Sequence, residues 1–228
     1  MKSSTPIVSF QVLLASMILL LIVPTLVSAG WSTTISKLLY TFTMISSLYL
    51  VSTNRRELVI GIILFFPAIT TKWMLAPVVS IKGQVLANCI FQVVFLAYIM
   101  KAVYRHLMTT KEVDAELLYA SVILYLMFGV CMAITYYGIL IMVPGTFGGD
   151  IVIDLSDPIA LTAILNEMLY FSFVTQTTLG YGDVLPELDV VRTLATFQAI
   201  IGQLYIAVIV ARLVGIQIAS RTMGQNGK

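Results

Sequence analysis

The stretch VTQTTLGYGDV, residues 174–184, decides how the rest of the chain is read. Its centre is Thr178, Leu179, Gly180, Tyr181, Gly182 and Asp183. By itself Gly-Tyr-Gly describes an ordinary turn. Here Thr177 and Thr178 stand before it, an apolar helical run stands before them, and Asp183 and Pro186 follow. What surrounds this stretch is far from an ordinary soluble domain. Of 228 residues, 59% are hydrophobic and 11% charged, and the mean hydropathy is +0.99. Such a composition marks an integral membrane protein, and apolar runs of helical length make the expected fold all-α. The net charge of +2 provides no basic face for nucleic acid, so no nucleic-acid partner is expected.

A bilayer needs roughly 20 apolar helical residues per crossing. Six stretches satisfy this: about 7–27, 34–51, 58–78, 85–103, 118–142 and 190–216. The first has a rival reading, because Lys2, a Leu/Ile-rich centre and Val27-Ser28-Ala29 also resemble a secretory signal within residues 1–29. Its length exceeds that of the usual signal core and favours a helix. The second span is rich in Ser and Thr, whose hydroxyls can bond helix carbonyls. Pro67 predicts a kink in the third. Residues 104–117 hold Arg105, Lys111, Glu112, Asp114 and Glu116 and read as an interfacial cytoplasmic linker.

With both termini in the cytoplasm, nine basic residues lie inside (Lys2, Arg55, Arg56, Lys101, Arg105, Lys111, Arg212, Arg221, Lys228). Four lie outside: Lys37, Lys72, Lys82 and Arg192. That asymmetry obeys the positive-inside rule and turns residues 178–183 outward. A voltage sensor of the common kind repeats Arg or Lys at every third position, and the fourth span has none in its interior. Lys101 and Arg105 at its inner end, and Arg212 in the last span, are expected to snorkel. The tail at 218–228 is far shorter than the roughly 50 residues of a folded domain. Cys89 and Cys131 read as packing residues. His106, with no second His or Cys nearby, reads as a solvated side chain rather than a metal ligand. No grouping of nucleophile, base and orienting residue suggests an enzyme, and no cofactor is expected.

The C-terminal part of the chain resembles the pore of tetrameric potassium channels of the prokaryotic type, and from residue 140 onward it follows the outer half of that pore in order. The resemblance rests on Thr178-Leu179-Gly180-Tyr181-Gly182-Asp183, with Leu179 where the family usually has Val or Ile. It covers about the last 110 residues, and the first four spans carry no motif of the family. It implies a chain of four N-terminal helices (1–103), the linker (104–117), a pore domain (118–217) and the tail. Asp157-Pro158 marks one helix start and Asn166-Glu167 a second. A small external helix and then a re-entrant pore helix over about 166–177 are therefore expected. Rings of carbonyl oxygen from Thr178, Leu179, Gly180 and Tyr181, with the Thr178 hydroxyl below, would replace the hydration shell of K+. That geometry calls for positive φ at alternate residues, which Gly180 and Gly182 adopt cheaply.

Tyr181 would brace the filter against Tyr170 and Phe171, and Tyr170 would hold Asp183. Seven acids between Asp150 and Asp189 (Asp150, Asp154, Asp157, Glu167, Asp183, Glu187, Asp189), with no base among them, would gather cations at the outer mouth. Gly202 stands 19 residues after Asp183, at the family's hinge position, although close helix packing explains a membrane glycine equally well. Gln203, Ile206, Val210 and Val214 share one helical face, which the resemblance turns toward the ion pathway. Gln203 has a second reading, as a bond to a neighbouring helix. One filter segment per chain implies a homotetramer in the cell membrane.

The function so implied is passive, potassium-selective conduction without a standard voltage sensor, its stimulus supplied by pH, tension, lipid or a separate regulatory subunit. A weakly selective cation channel and a secondary transporter with a re-entrant loop are the alternatives. No inverted repeat favours the transporter.

Overall fold

The computed structural model describes residues 7–27, 29–51, 55–73, 80–110, 114–148 and 158–226. Seven helices run along the described chain: α1 (Ile7–Leu26), α2 (Ala29–Val51), α3 (Arg55–Trp73), α4 (Ile81–Thr109), α5 (Ala115–Met142), α6 (Pro158–Gln176) and α7 (Asp189–Asn226). Two short strands, β1 (Phe147–Gly148) and β2 (Leu185–Pro186), pair antiparallel. The protein is an all-α integral membrane protein. Among the described residues, six helices are long and apolar enough to cross a bilayer, namely α1, α2, α4, α5, α6 and α7. Of the third expected span, 58–78, α3 shows the part up to Trp73, with Arg55, Arg56, Glu57 and Lys72 at its ends; residues 74–78 lie outside the described ones. α6, expected as part of a re-entrant segment, is counted on apolar length alone.

Local chemistry accounts for the helix limits. Ser80 accepts from the Gly83 amide at 3.2 Å and starts α4, and Asp114 accepts from the Leu117 amide at 2.9 Å and starts α5. In α2 the hydroxyls of Thr41, Thr43 and Ser46 bond carbonyls one turn back, so a polar-looking span satisfies itself. α3 continues through Pro67, with Thr71 donating to the Pro67 carbonyl at 2.7 Å. α4 continues to Thr109, beyond its expected end, so much of 104–117 is helical. α6 is one continuous helix of 19 residues rather than two short ones. Nothing between Pro158 and Gln176 interrupts it: the segment has no glycine and no interior proline, and Asn166 lies within it. The expected N-cap Asp157 lies outside the described residues.

The core surrounds α5. Leu117, Ile123, Met127, Ala133, Tyr136 and Leu140 are buried around its circumference, as befits a helix enclosed by others. α4, α1, α6 and α7 all pack on it. Phe10, Leu13 and Met17 of α1 are part of this core. By contrast, α7 leaves Phe197, Leu204, Ile206, Val210 and Val214 exposed. The β1–β2 ladder pairs Phe147 with Pro186 and Gly148 with Leu185. The excursion between the two strands, α6 included, therefore leaves and returns at one end of the bundle, where α5 ends and α7 begins.

Several single residues depart from expectation. His106 is part of α4, its ring 5.1 Å from that of Phe10, with Nε2 buried and 4.0 Å from a Glu116 oxygen. Arg105 pairs with Glu57 of α3. Arg212 donates to the Thr110 carbonyl at 3.1 Å and approaches the Met108 sulfur at 3.7 Å. A cation so placed satisfies the end of α4. Cys89 and Cys131, by contrast, are free as expected, with Cys89 buried and Cys131 partly so.

Candidate ion-conduction site

The stretch that opened the sequence lies between the end of α6 and β2. Three residues in it have left-handed backbone: Thr178 at φ 60°, Gly180 at φ 56° and Gly182 at φ 81°. The two glycines were foreseen. Thr178 was not, because a β-branched residue at positive φ costs of order 1–3 kcal/mol and needs surroundings that enforce it. Those surroundings are explicit. The Thr178 amide donates to the Thr175 carbonyl at 3.0 Å, and the Leu179 amide donates to the Val174 carbonyl at 3.0 Å. The Thr178 hydroxyl donates to the Thr177 carbonyl at 2.6 Å and accepts from Gln203 Nε2 at 3.2 Å. Gln203 thus contacts residue 178 of its own chain. Thr177 turns its own hydroxyl back onto the Phe173 carbonyl at 2.6 Å.

Asp183 accepts a hydrogen bond from the Tyr170 hydroxyl at 2.5 Å. That bond, with smaller help from the backbone amides of Asp183 and Val184, holds the carboxyl below the usual carboxylate range against a lesser desolvation effect. Tyr181 stacks on Tyr170, ring centroids 6.5 Å apart and planes within 6°. Phe171, the other expected brace, faces away and forms an aromatic cluster with Tyr136 and Phe147. On a single chain, Leu179 (59%) and Tyr181 (68%) are largely exposed. Gln203, Ile206, Val210 and Val214 are exposed as well, along one face of α7.

Behind these residues lies a polar network that sequence reasoning passed over. Gln198 of α7 is fully buried; it donates to the Ser172 carbonyl at 3.0 Å and the Ser172 hydroxyl at 2.7 Å. Its Oε1 accepts from the Tyr136 hydroxyl at 2.8 Å. Ser172 donates to the Gly129 carbonyl at 2.7 Å, and Gln176 Nε2 donates to the Tyr125 carbonyl at 2.8 Å. Three helices, α5, α6 and α7, are thus joined by side chains directly behind the end of α6. The available signal was Gln176 and Gln198 themselves, since amides inside apolar spans are costly without partners. Gly202 has a close-packing role: a Cβ there would lie 2.4 Å from the Gln176 carbonyl oxygen, and α7 passes through it without a break.

The acid-rich segment is partly neutralised in its described part. Arg192, just beyond the acid-rich segment, lies 3.6 Å from Glu187 and 3.6 Å from Asp189, and its Nε donates to the Pro186 carbonyl at 2.8 Å. Asp150, Asp154 and Asp157 fall outside the described residues.

A family model described as an ion channel matches residues 139–217, from the end of α5 through most of α7. The match spans about a third of the chain and includes every residue from Thr177 to Asp183. It shows that this segment is similar to ion channels. No curated protein and no solved structure matches the chain.

Proposed function

We propose that the chain is one subunit of a potassium-selective channel, with residues 118–217 as its pore domain and Thr178 to Gly182 as its selectivity filter. The observation that carries this reading is the alternation of left-handed backbone at Thr178, Gly180 and Gly182. Alternate positive φ turns successive carbonyls toward one side, which is what coordination of a dehydrated cation by backbone oxygen requires. The exposure of Leu179 and Tyr181 supports a fourfold assembly, in which four such segments meet on an axis and four copies of the open α7 face meet each other. K+ would be held at Thr178, Leu179, Gly180 and Tyr181. Gln203 would place an amide beside the lowest of these positions, with Ile206, Val210 and Val214 along the exit. The four N-terminal helices carry no arginine ladder, so steep voltage dependence is not part of this reading.

Reconstitution into planar bilayers tests it. Bi-ionic reversal potentials should separate potassium from sodium by tens of millivolts. Gly180→Ala should abolish selective current, because alanine at φ 56° costs about 1–2 kcal/mol in each subunit. Potassium-selective current unaltered in that variant would sink the filter assignment, and reversal potentials near zero would favour a weakly selective cation channel.

A further inference from the structure

A cavity of about 260 Å³ lies within the N-terminal helices, walled by α2, α3 and α4 and floored by α5 and α6. Lys37 of α2 and Lys72 of α3 both line it. Among the described residues neither ammonium has a carboxylate within 4 Å; the ion pairs found there use Arg105, His106 and Arg192. Lys72 Nζ sits 4.4 Å from the centre of the Tyr40 ring, which steadies the cation without neutralising it. The lining between the lysines is rich in neutral donors and acceptors. Gln92 donates to Asn88 at 2.6 Å, and Asn88 donates to Thr71 at 3.0 Å.

Two like charges converging on one cavity in a membrane protein repel each other in a medium that screens poorly. An anion between them reverses the sign of that interaction. We propose that this cavity binds a phosphate-bearing anion, gripped by Lys37 and Lys72. The membrane supplies such groups as phospholipid headgroups, and the cavity's apolar portion at Ile81, Val85 and Leu161 suits the glycerol and first methylenes of a lipid. Its floor includes Thr162 of α6, whose hydroxyl is 3.4 Å from that of Thr33 in α2. Occupancy therefore places the ligand against α6, the helix that leads into residues 177–183. The binding does not depend on which ion the pore selects.

Native mass spectrometry of the purified chain in neutral detergent reads the binding directly. With phosphatidylglycerol and phosphatidylcholine of identical acyl chains, the wild-type chain should retain the former about tenfold better, the scale of one or two charge-assisted hydrogen bonds. K37Q and K72Q should each weaken that preference and the double variant should erase it. The pair K37R and K72R should keep it, as should K101Q, which alters a lysine elsewhere on α4. Inorganic phosphate at millimolar concentration is the second arm. If it displaces phosphatidylglycerol and raises Tm in the wild type but not in K37Q/K72Q, the phosphate group alone is the ligand. If only the lipid binds, the headgroup in its lipid is. Equal retention of both lipids by the wild type with no response to phosphate, or a preference that survives K37Q/K72Q, overturns the proposal. Should the double variant fail to fold, the single variants and the arginine pair give the same decision.

Discussion

Gly202 and the Gln176 carbonyl meet so closely that a single added methyl would fall 2.4 Å from the oxygen. The glycine lets α7 cross the end of α6 at backbone distance, and that carbonyl belongs to the last residue before Thr177. Gly202→Ala should therefore cost about 1–3 kcal/mol of stability through overpacking. Thermal unfolding and size-exclusion in detergent read it. A hinge alone predicts otherwise: normal stability with only opening altered.

Buried polar groups are expensive to leave unpaired, and Gln198 partners Tyr136 and Ser172 at once. Gln198→Leu should destabilise the protein by roughly 2–4 kcal/mol, because it strands groups on two helices. Gln203→Leu, at the exposed bond to Thr178, should cost about 1 kcal/mol or less. Denaturant titration in detergent distinguishes them, and equal losses would contradict the network's place in the fold.

The hydrogen bond from Tyr170 to Asp183 predicts an acid response. The folded-state pKa of Asp183 is depressed, so its contribution is fully present above the ordinary carboxylate value of about 3.9 and is lost only as pH falls below that value. Tyr170→Phe removes the largest cause of the depression. The acid transition of the outer mouth should then move upward toward pH 4. The pH dependence of conductance, or of oligomer survival on gels, checks the shift, and an unchanged midpoint would show the bond to be without consequence.

Arg192 provides a test of the acidic mouth. Since it lies beside Glu187 and Asp189, Arg192→Gln should free both carboxylates and strengthen the local negative field. Inward cation current at low ionic strength should rise severalfold and converge with wild type at high salt. A fall in current would mean that the arginine's bond to the Pro186 carbonyl matters more than its charge.

Much of this was legible in the chain because it follows from local rules. Apolar length dictates membrane helices, and Gly180 and Gly182 around Tyr181 announce alternating backbone whatever surrounds them. The Tyr170 and Asp183 pairing came with the resemblance those residues carry. What the sequence by itself determined was thus the solvent, the helices and the backbone menu of residues 178–183. Tertiary structure decided the rest, because it depends on which side chains from distant segments converge. Thr178 takes a left-handed conformation that its own side chain disfavours, since Gln203, 25 residues on, and the end of α6 hold it there. Gly202 became a close contact only when Gln176 arrived opposite it. Lys37 and Lys72, 35 positions apart, carried no shared meaning until α2 and α3 folded around one cavity. Electrostatics and close packing act through space, and the order of residues along a chain does not contain those distances.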